Sequence, residues 1–329
     1  MRAIALEELC DVLRENRDKR VVLTFHTIGD RDAVGSAVAL SEFLHNATVV
    51  TPDFITNNGK RMLAYLNYEN KIKKEFPKDP ELIIVCDANN LLALGRLKEK
   101  LETSPAEILF IDHHAPHAEL EISALVFNNE EYNSTASIVC DALQKLNFEV
   151  KRSTAILLLN GITADSADLQ NSSPHTFSQI SELLETSGMS FSFFSEYYHA
   201  GIPTQNKYQV IKDVLAAKVE VVGKYIIIYG RAAEHASVAA DTALKLEADA
   251  TVFWVTSNTE ASISARLRSP LDKELALHLG VIMEDVGKLV EGNGGGHACA
   301  AGAYGPRRDM AQAAGEEAVR RIKEKMLTK

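Results

Sequence analysis

The stretch VVLTFHTIGDRDAVGS, residues 21–36, decides the fold class. Its first five residues are apolar apart from Thr24 and show no polar alternation, as in a strand covered on both faces. Its last residues open a helix. Between strand and helix stand His26, Asp30 and Asp32. Two aspartates two residues apart repel, and one tends to stay protonated unless a cation joins them. Three possible metal ligands in so short a loop make a cation the expected partner.

The same rhythm continues on either side. RVVLTFH, ATVVTP, ELIIVCD, EILFIDHH and ALVFN read as buried strands, separated by helical stretches such as GSAVALSEFL and NGKRMLAYLN. That alternation predicts an α/β fold with a mostly parallel sheet flanked by helices. After residue 133 the pattern turns chiefly helical. AGIPTQNK, residues 200–207, carries the Gly, Pro and polar residues of a connection. Beyond it come further strands, a glycine-rich loop and a charged terminal helix, a second and smaller α/β domain. The expected division is a catalytic domain over 1–199, a linker over 200–214 and a second domain over 215–329.

The chain has 329 residues, 46% hydrophobic and 24% charged, which exceeds what one core usually serves. A formal net charge of −10 disfavours long duplex DNA as a partner, because that polyanion rewards basic surfaces. A small phosphorylated ligand in a local positive pocket remains compatible. Cys10, Cys86, Cys140 and Cys299 lie far apart and suggest neither a disulfide framework nor a zinc ribbon. The N-terminal residues read as an amphipathic helix, and the apolar runs TAILLLNG and YIIIY are too short to span a bilayer. A cytoplasmic protein with no membrane partner is the expectation.

Three strand ends of the first domain carry ligand-type side chains. LTFH leads to His26, Asp30 and Asp32, LIIVCD ends at Asp87, and LFIDHH ends at Asp112, His113 and His114. Parallel strands deliver such residues to one carboxyl edge. Asp165, after a strongly apolar helix, is a fourth contributor. Carboxylates and imidazoles without thiolate favour Mn²⁺ or Mg²⁺, with Zn²⁺, Co²⁺ and Fe²⁺ compatible by softness. Asp30, Asp32, Asp87 and Asp165 carry four negative charges, which two divalent cations cancel.

HTIGDRDAVGS, VCDANN, IDHHAPH and TADSADLQ resemble, in order and spacing, the four motifs of the DHH phosphoesterase superfamily. GNGGGHACAAG resembles the glycine-rich signature of its accompanying DHHA1 domain. The resemblance implies a two-metal site, usually Mn²⁺, in a cleft between the two domains. It implies one ion on His26, Asp30 and Asp87, and another on Asp32, Asp87, His113 and Asp165, with Asp87 as the bridge. Asp112 would orient an imidazole, and His114 would face the substrate as a phosphate contact or proton donor. Gly29 and Arg31 stand where the family commonly has Pro and Gly. Leu169-Gln170 replaces a frequent Phe-Arg, which removes one possible phosphate-binding arginine.

In the second domain, a loop as rich in glycine as Gly292–Gly302 reads alone as a flexible turn. Beside the other motifs it reads as a phosphate cradle, with Gly295 and Gly296 offering amides and His297 a side-chain donor. Arg266 and Arg268, two apart on a strand, share a face. Spacing alone allows two solvated arginines or a phosphate clamp; the resemblance favours substrate contact. His117 and the other histidines read as ordinary surface or helix residues.

The resulting expectation is a manganese-dependent phosphoesterase acting on short oligonucleotides or small nucleotides, as in the nanoRNase/pAp-phosphatase branch. A cyclic-dinucleotide phosphodiesterase and a RecJ-like single-strand exonuclease are the alternatives. An inorganic pyrophosphatase or a non-catalytic nucleic-acid-binding protein fits less well. Homodimerisation is left open.

Overall fold

The computed structural model describes residues 1–114, 122–166, 169, 172–199, 204–257 and 259–328. They form two compact units, Met1–Gly201 and Ile202–Lys329.

In chain order the first unit holds β1 (Arg2–Ala3), α1 (Leu6–Glu15), β2 (Val21–Phe25), α2 (Arg31–Phe43), β3 (Ala47–Val50), α3 (Asn57–Leu66) and β4 (Ile72–Lys73). Next come β5 (Leu82–Cys86), α4 (Lys98–Glu102), β6 (Glu107–Asp112), β7 (Leu125–Asn128) and α5 (Thr135–Lys145). Helices α6 (Arg152–Asp165), α7 (Pro174–Ser187) and α8 (Phe191–His199) complete it. The seven strands form one all-parallel sheet in the order β1-β7-β6-β5-β2-β3-β4.

Burial on both faces explains the unbroken apolar runs. Val21, Leu23 and Phe25 of β2 join the core beneath α2, α5 and α6, while Val22 joins a second core on the opposite face. Leu82, Ile84 and Cys86 of β5 divide from Ile83 and Val85 in the same way. Helix α2 is buried from Asp32 through Leu40. Its close approach to α6 needs Gly35, where a Cβ would come 2.8 Å from the Leu157 carbonyl oxygen.

The second unit holds α9 (Thr204–Leu215), β8 (Lys218–Val222), β9 (Tyr225–Arg231), α10 (Ala236–Leu244), β10 (Ala250–Thr256) and β11 (Ala261–Leu267). Then follow α11 (Leu271–Leu275), α12 (Leu279–Leu289), β12 (Asn293–Gly296), β13 (Ala300–Gly305) and α13 (Ala311–Leu327). Its mixed sheet runs β12-β13-β11-β10-β9-β8, with only β9 and β10 parallel. Of the segment read as a linker, residues 200–203 lie outside the described residues and the remainder falls in α9.

The glycine-rich stretch is a strand of a hairpin rather than an open loop. Gly294 pairs with Ala303 and Gly295 with Gly302. Packing demands the missing side chains, because a Cβ at Gly292 or Gly294 would come within 1.9 Å of the Tyr304 or 1.8 Å of the Met283 carbonyl oxygen. Among the described residues, no helix is long and apolar enough to cross a membrane.

Candidate metal centre

The site is built where β2, β5 and β6 end. Asp30 caps α2, its side chain accepting the amide N–H groups of Asp32 (3.0 Å) and Ala33 (3.1 Å). That cap places His26 and Asp30 side by side, with His26 Nε2 3.6 Å from Asp30 Oδ2 and 3.2 Å from Asp87 Oδ2. His26 Nδ1 accepts the Ile28 amide N–H at 3.2 Å, which leaves Nε2 toward the carboxylates. Asp87 follows β5 with a φ of 60°, a left-handed conformation that aspartate tolerates better than most residues. Its amide donates to the Ile111 carbonyl at 2.9 Å, which locks the turn onto β6.

On the other side of Asp87 stand His113, His114 and Asp165. His113 Nε2 lies 3.7 Å from Asp87 Oδ1, 3.3 Å from Asp165 Oδ2 and 3.9 Å from Asp32 Oδ2. His114 Nδ1 lies 3.6 Å from Asp87 Oδ1 and 2.7 Å from Asp112 Oδ1, so Asp112 fixes that ring. Two donor sets result, His26–Asp30–Asp87 and Asp87–His113–His114–Asp165, each with its ligand atoms within 4.8 Å of one another. Asp87 belongs to both.

Asp32 sits differently from the other carboxylates. Its oxygens accept the Thr135 amide at 2.7 Å and the Ala136 amide at 2.8 Å, at the start of α5. A helix N-terminus stabilises an anion there. Those amides are therefore occupied by the protein's own carboxylate. Ser134 caps α5 by accepting the Ser137 amide at 3.0 Å. The Thr135 hydroxyl donates to Asp87 Oδ1 at 3.1 Å, a contact across 48 residues that no motif announces.

The charges are distributed unevenly. Burial, reinforced by the Asp87, Asp165 and Asp30 charges, pushes the Asp32 carboxyl well above its ordinary range. Asp165 is raised too, by burial and then by Asp30 and Asp87 against the pull of His113. Burial also opposes the charge on Asp87, but His26, His114 and His113 outweigh it and hold that carboxyl low. The His114 ring, penalised by burial, is still raised to about 9 by Asp112, Asp87 and Asp165. Crowded carboxylates therefore borrow charge from imidazoles and retain protons. Asp87 Oδ2 is buried and makes no hydrogen bond, despite its approach to His26. An all-oxygen-and-imidazole donor set with such an oxygen fits divalent cations.

The second unit brings its expected residues together only in part. Gly295 and Gly296 lie on β12 and exposed His297 follows them, its amide donating to the Ala300 carbonyl at 2.8 Å. A Cβ at Gly295 would meet nothing within 4 Å, unlike its neighbours, so that backbone is open to approach. Arg266 is bound to Asp241 of α10, Nε to Oδ1 at 2.6 Å. Arg268 donates to the Ala248 carbonyl at 2.9 and 3.1 Å and to the Leu244 carbonyl at 3.3 Å, around the end of α10. The pair shares a face as its spacing predicts, and α10 occupies it. His117 and Gln170 lie outside the described residues.

Residues 20–162 match the N-terminal domain of the DHH family, and residues 219–326 match the DHHA1 domain. An uncharacterised protein of Methanocaldococcus jannaschii is 28% identical over 307 residues, covering 91% of this chain and 90% of that one. An exopolyphosphatase-related protein from Bacteroides fragilis has a similar structure, with a TM-score of 0.79 at 17% identity over 98% of this chain and 97% of the other. RecJ from Thermus thermophilus, solved in complex with Mn²⁺, gives a TM-score of 0.53 at 13% identity over 97% of this chain and 55% of its own. With a parallel-sheet unit carrying the four motifs and a mixed-sheet unit carrying the glycine hairpin, the chain belongs to the DHH phosphoesterase superfamily, as a member that joins a DHH domain to a DHHA1 domain.

Proposed function

We propose that this chain is a metal-dependent phosphoesterase that hydrolyses phosphate esters of short oligonucleotides or small nucleotides. The observation that carries the reading is Asp87, one buried carboxylate common to two Asp/His donor sets at a single sheet edge. His26, Asp30 and Asp87 hold one divalent ion; Asp87, His113 and Asp165 hold the other, with Asp32 contributing a lone pair left over from its amide bonds. When bound, such ions activate water and neutralise phosphoryl oxygens. Mn²⁺ is the favoured ion, supported by the donor chemistry and by its presence in the Thermus RecJ structure.

His114, oriented by Asp112, gives a proton to the leaving oxygen or a hydrogen bond to the phosphate. Residues 1–199 form the catalytic domain and 215–329 the substrate domain. The latter contributes phosphate binding through His297, the open backbone of Gly295 and Gly296, and Arg266, which exchanges Asp241 for phosphate. Arg268 supports that strand by holding α10. The chain works in the cytoplasm.

The test is an assay of purified protein with Mn²⁺ against short RNA, short DNA, adenosine 3′,5′-bisphosphate, cyclic dinucleotides and pyrophosphate. Turnover of the short oligonucleotides or the bisphosphate, abolished by chelation, is the expected result. Full turnover after exhaustive chelation, or turnover of pyrophosphate alone, would contradict it.

A further inference from the structure

Three neighbouring loops at the metal-bearing sheet edge also carry large apolar side chains open to solvent. Ile28 stands midway between His26 and Asp30 and is 44% exposed. Phe54, after β3, is 52% exposed, and Leu92, five residues past Asp87, is 79% exposed. Strands β5, β2 and β3 are adjacent in the sheet, so the three loops lie in a row.

Their backbones are tied together. The Thr27 amide donates to the Ala93 carbonyl at 2.7 Å, joining the first loop to the Leu92 loop. The Thr56 amide and hydroxyl donate to the Gly29 carbonyl at 3.0 and 3.3 Å, joining it to the Phe54 loop. Gly29 has a φ of 52°, and a Cβ there would lie 2.7 Å from the Phe54 carbonyl oxygen. Its missing side chain lets the Phe54 loop close against the metal loop.

One exposed apolar residue is ordinary. Three on adjoining loops, two of which also carry metal-centre side chains, need a ligand that is apolar beside its phosphate. A polyphosphate is charged along its whole length and gains nothing from such a rim. A nucleotide presents a phosphate to the carboxylate–imidazole cluster and a flat π-face next to it. We propose that Ile28, Phe54 and Leu92 form a base-binding rim, with the Phe54 ring as stacking partner, which selects nucleobase-bearing esters over inorganic phosphates. This inference rests on the phosphoesterase reading above.

The test compares kcat/KM for a 5′-phosphorylated diadenylate with that for its abasic counterpart, which has the same sugar-phosphate chain without bases. Wild-type protein should prefer the base-bearing substrate. Phe54→Ala and Leu92→Ala should each shrink that preference, Phe54→Ala by about fivefold or more, through KM. Phe54→Trp should restore it, with its indole fluorescence quenched on nucleotide binding. Equal wild-type rates on the two substrates, or a preference untouched in both alanine variants, would overturn the rim alone. No cleavage of either substrate by the wild type would overturn the phosphoesterase reading and the rim with it.

Discussion

Asp112 stands behind the candidate ligands, against His114. It is fully buried, and its Oδ1 lies 2.7 Å from His114 Nδ1. Partners of this kind fix an imidazole's tautomer and direction, and their loss commonly costs about 10- to 100-fold in activity or metal affinity. Asp112→Asn should lower kcat with little change in KM, and elemental analysis should show its metal content intact. Protons report on the same residues. His26 and His113 are penalised by burial but raised above the ordinary imidazole range, chiefly by Asp30 and Asp165 respectively. A metal bound through them must displace those protons, so affinity should fall as pH drops through the raised values. Calorimetric titration in buffers of different ionisation heat should register proton release at neutral pH that shrinks in His26→Ala and His113→Ala; release unchanged in both variants would mean that these imidazoles do not ligate. The candidate ligands are legible in the sequence because His26, Asp87 and His113 follow apolar strands and Asp165 closes an apolar helix. The attachment of Asp32 to the amides of α5 is not, since 103 residues separate them and only the fold closes the gap.

At the scale of elements, the centre depends on how closely α2, α5 and α6 approach. Gly161 of α6 makes that possible, for a Cβ there would lie 2.6 Å from the Ala136 Cβ and 2.7 Å from Asp32 Oδ1. Gly161→Ala should destabilise the fold by about 1–3 kcal/mol, read from the denaturant midpoint, and should also weaken the metal-induced rise in Tm. A variant with wild-type values of both would mean that α6 can yield. In the second unit, Arg268→Ala removes hydrogen bonds to the end of α10. It should lower Tm while leaving KM unchanged; a raised KM at constant Tm would instead make Arg268 a substrate contact. The buried strands are readable because both of their faces meet apolar helices and loops. The two-residue β1 carries no such run, and glycines that ordinarily weaken strands conceal β12. Arginine spacing gives a face without saying what covers it.

Across the whole molecule, the formal net charge of −10 is compatible with the small phosphorylated substrate proposed above, and the two matched domains give that proposal a family setting. The proposed metal centre turns on one carboxylate, Asp87, that serves two ions, and metal content reads this directly. Wild-type protein loaded with Mn²⁺ and freed of excess should hold about two ions per chain, whereas Asp87→Asn, which keeps the left-handed turn, should hold close to none and lose turnover. A folded Asp87→Asn protein that retains both ions and wild-type activity would contradict it.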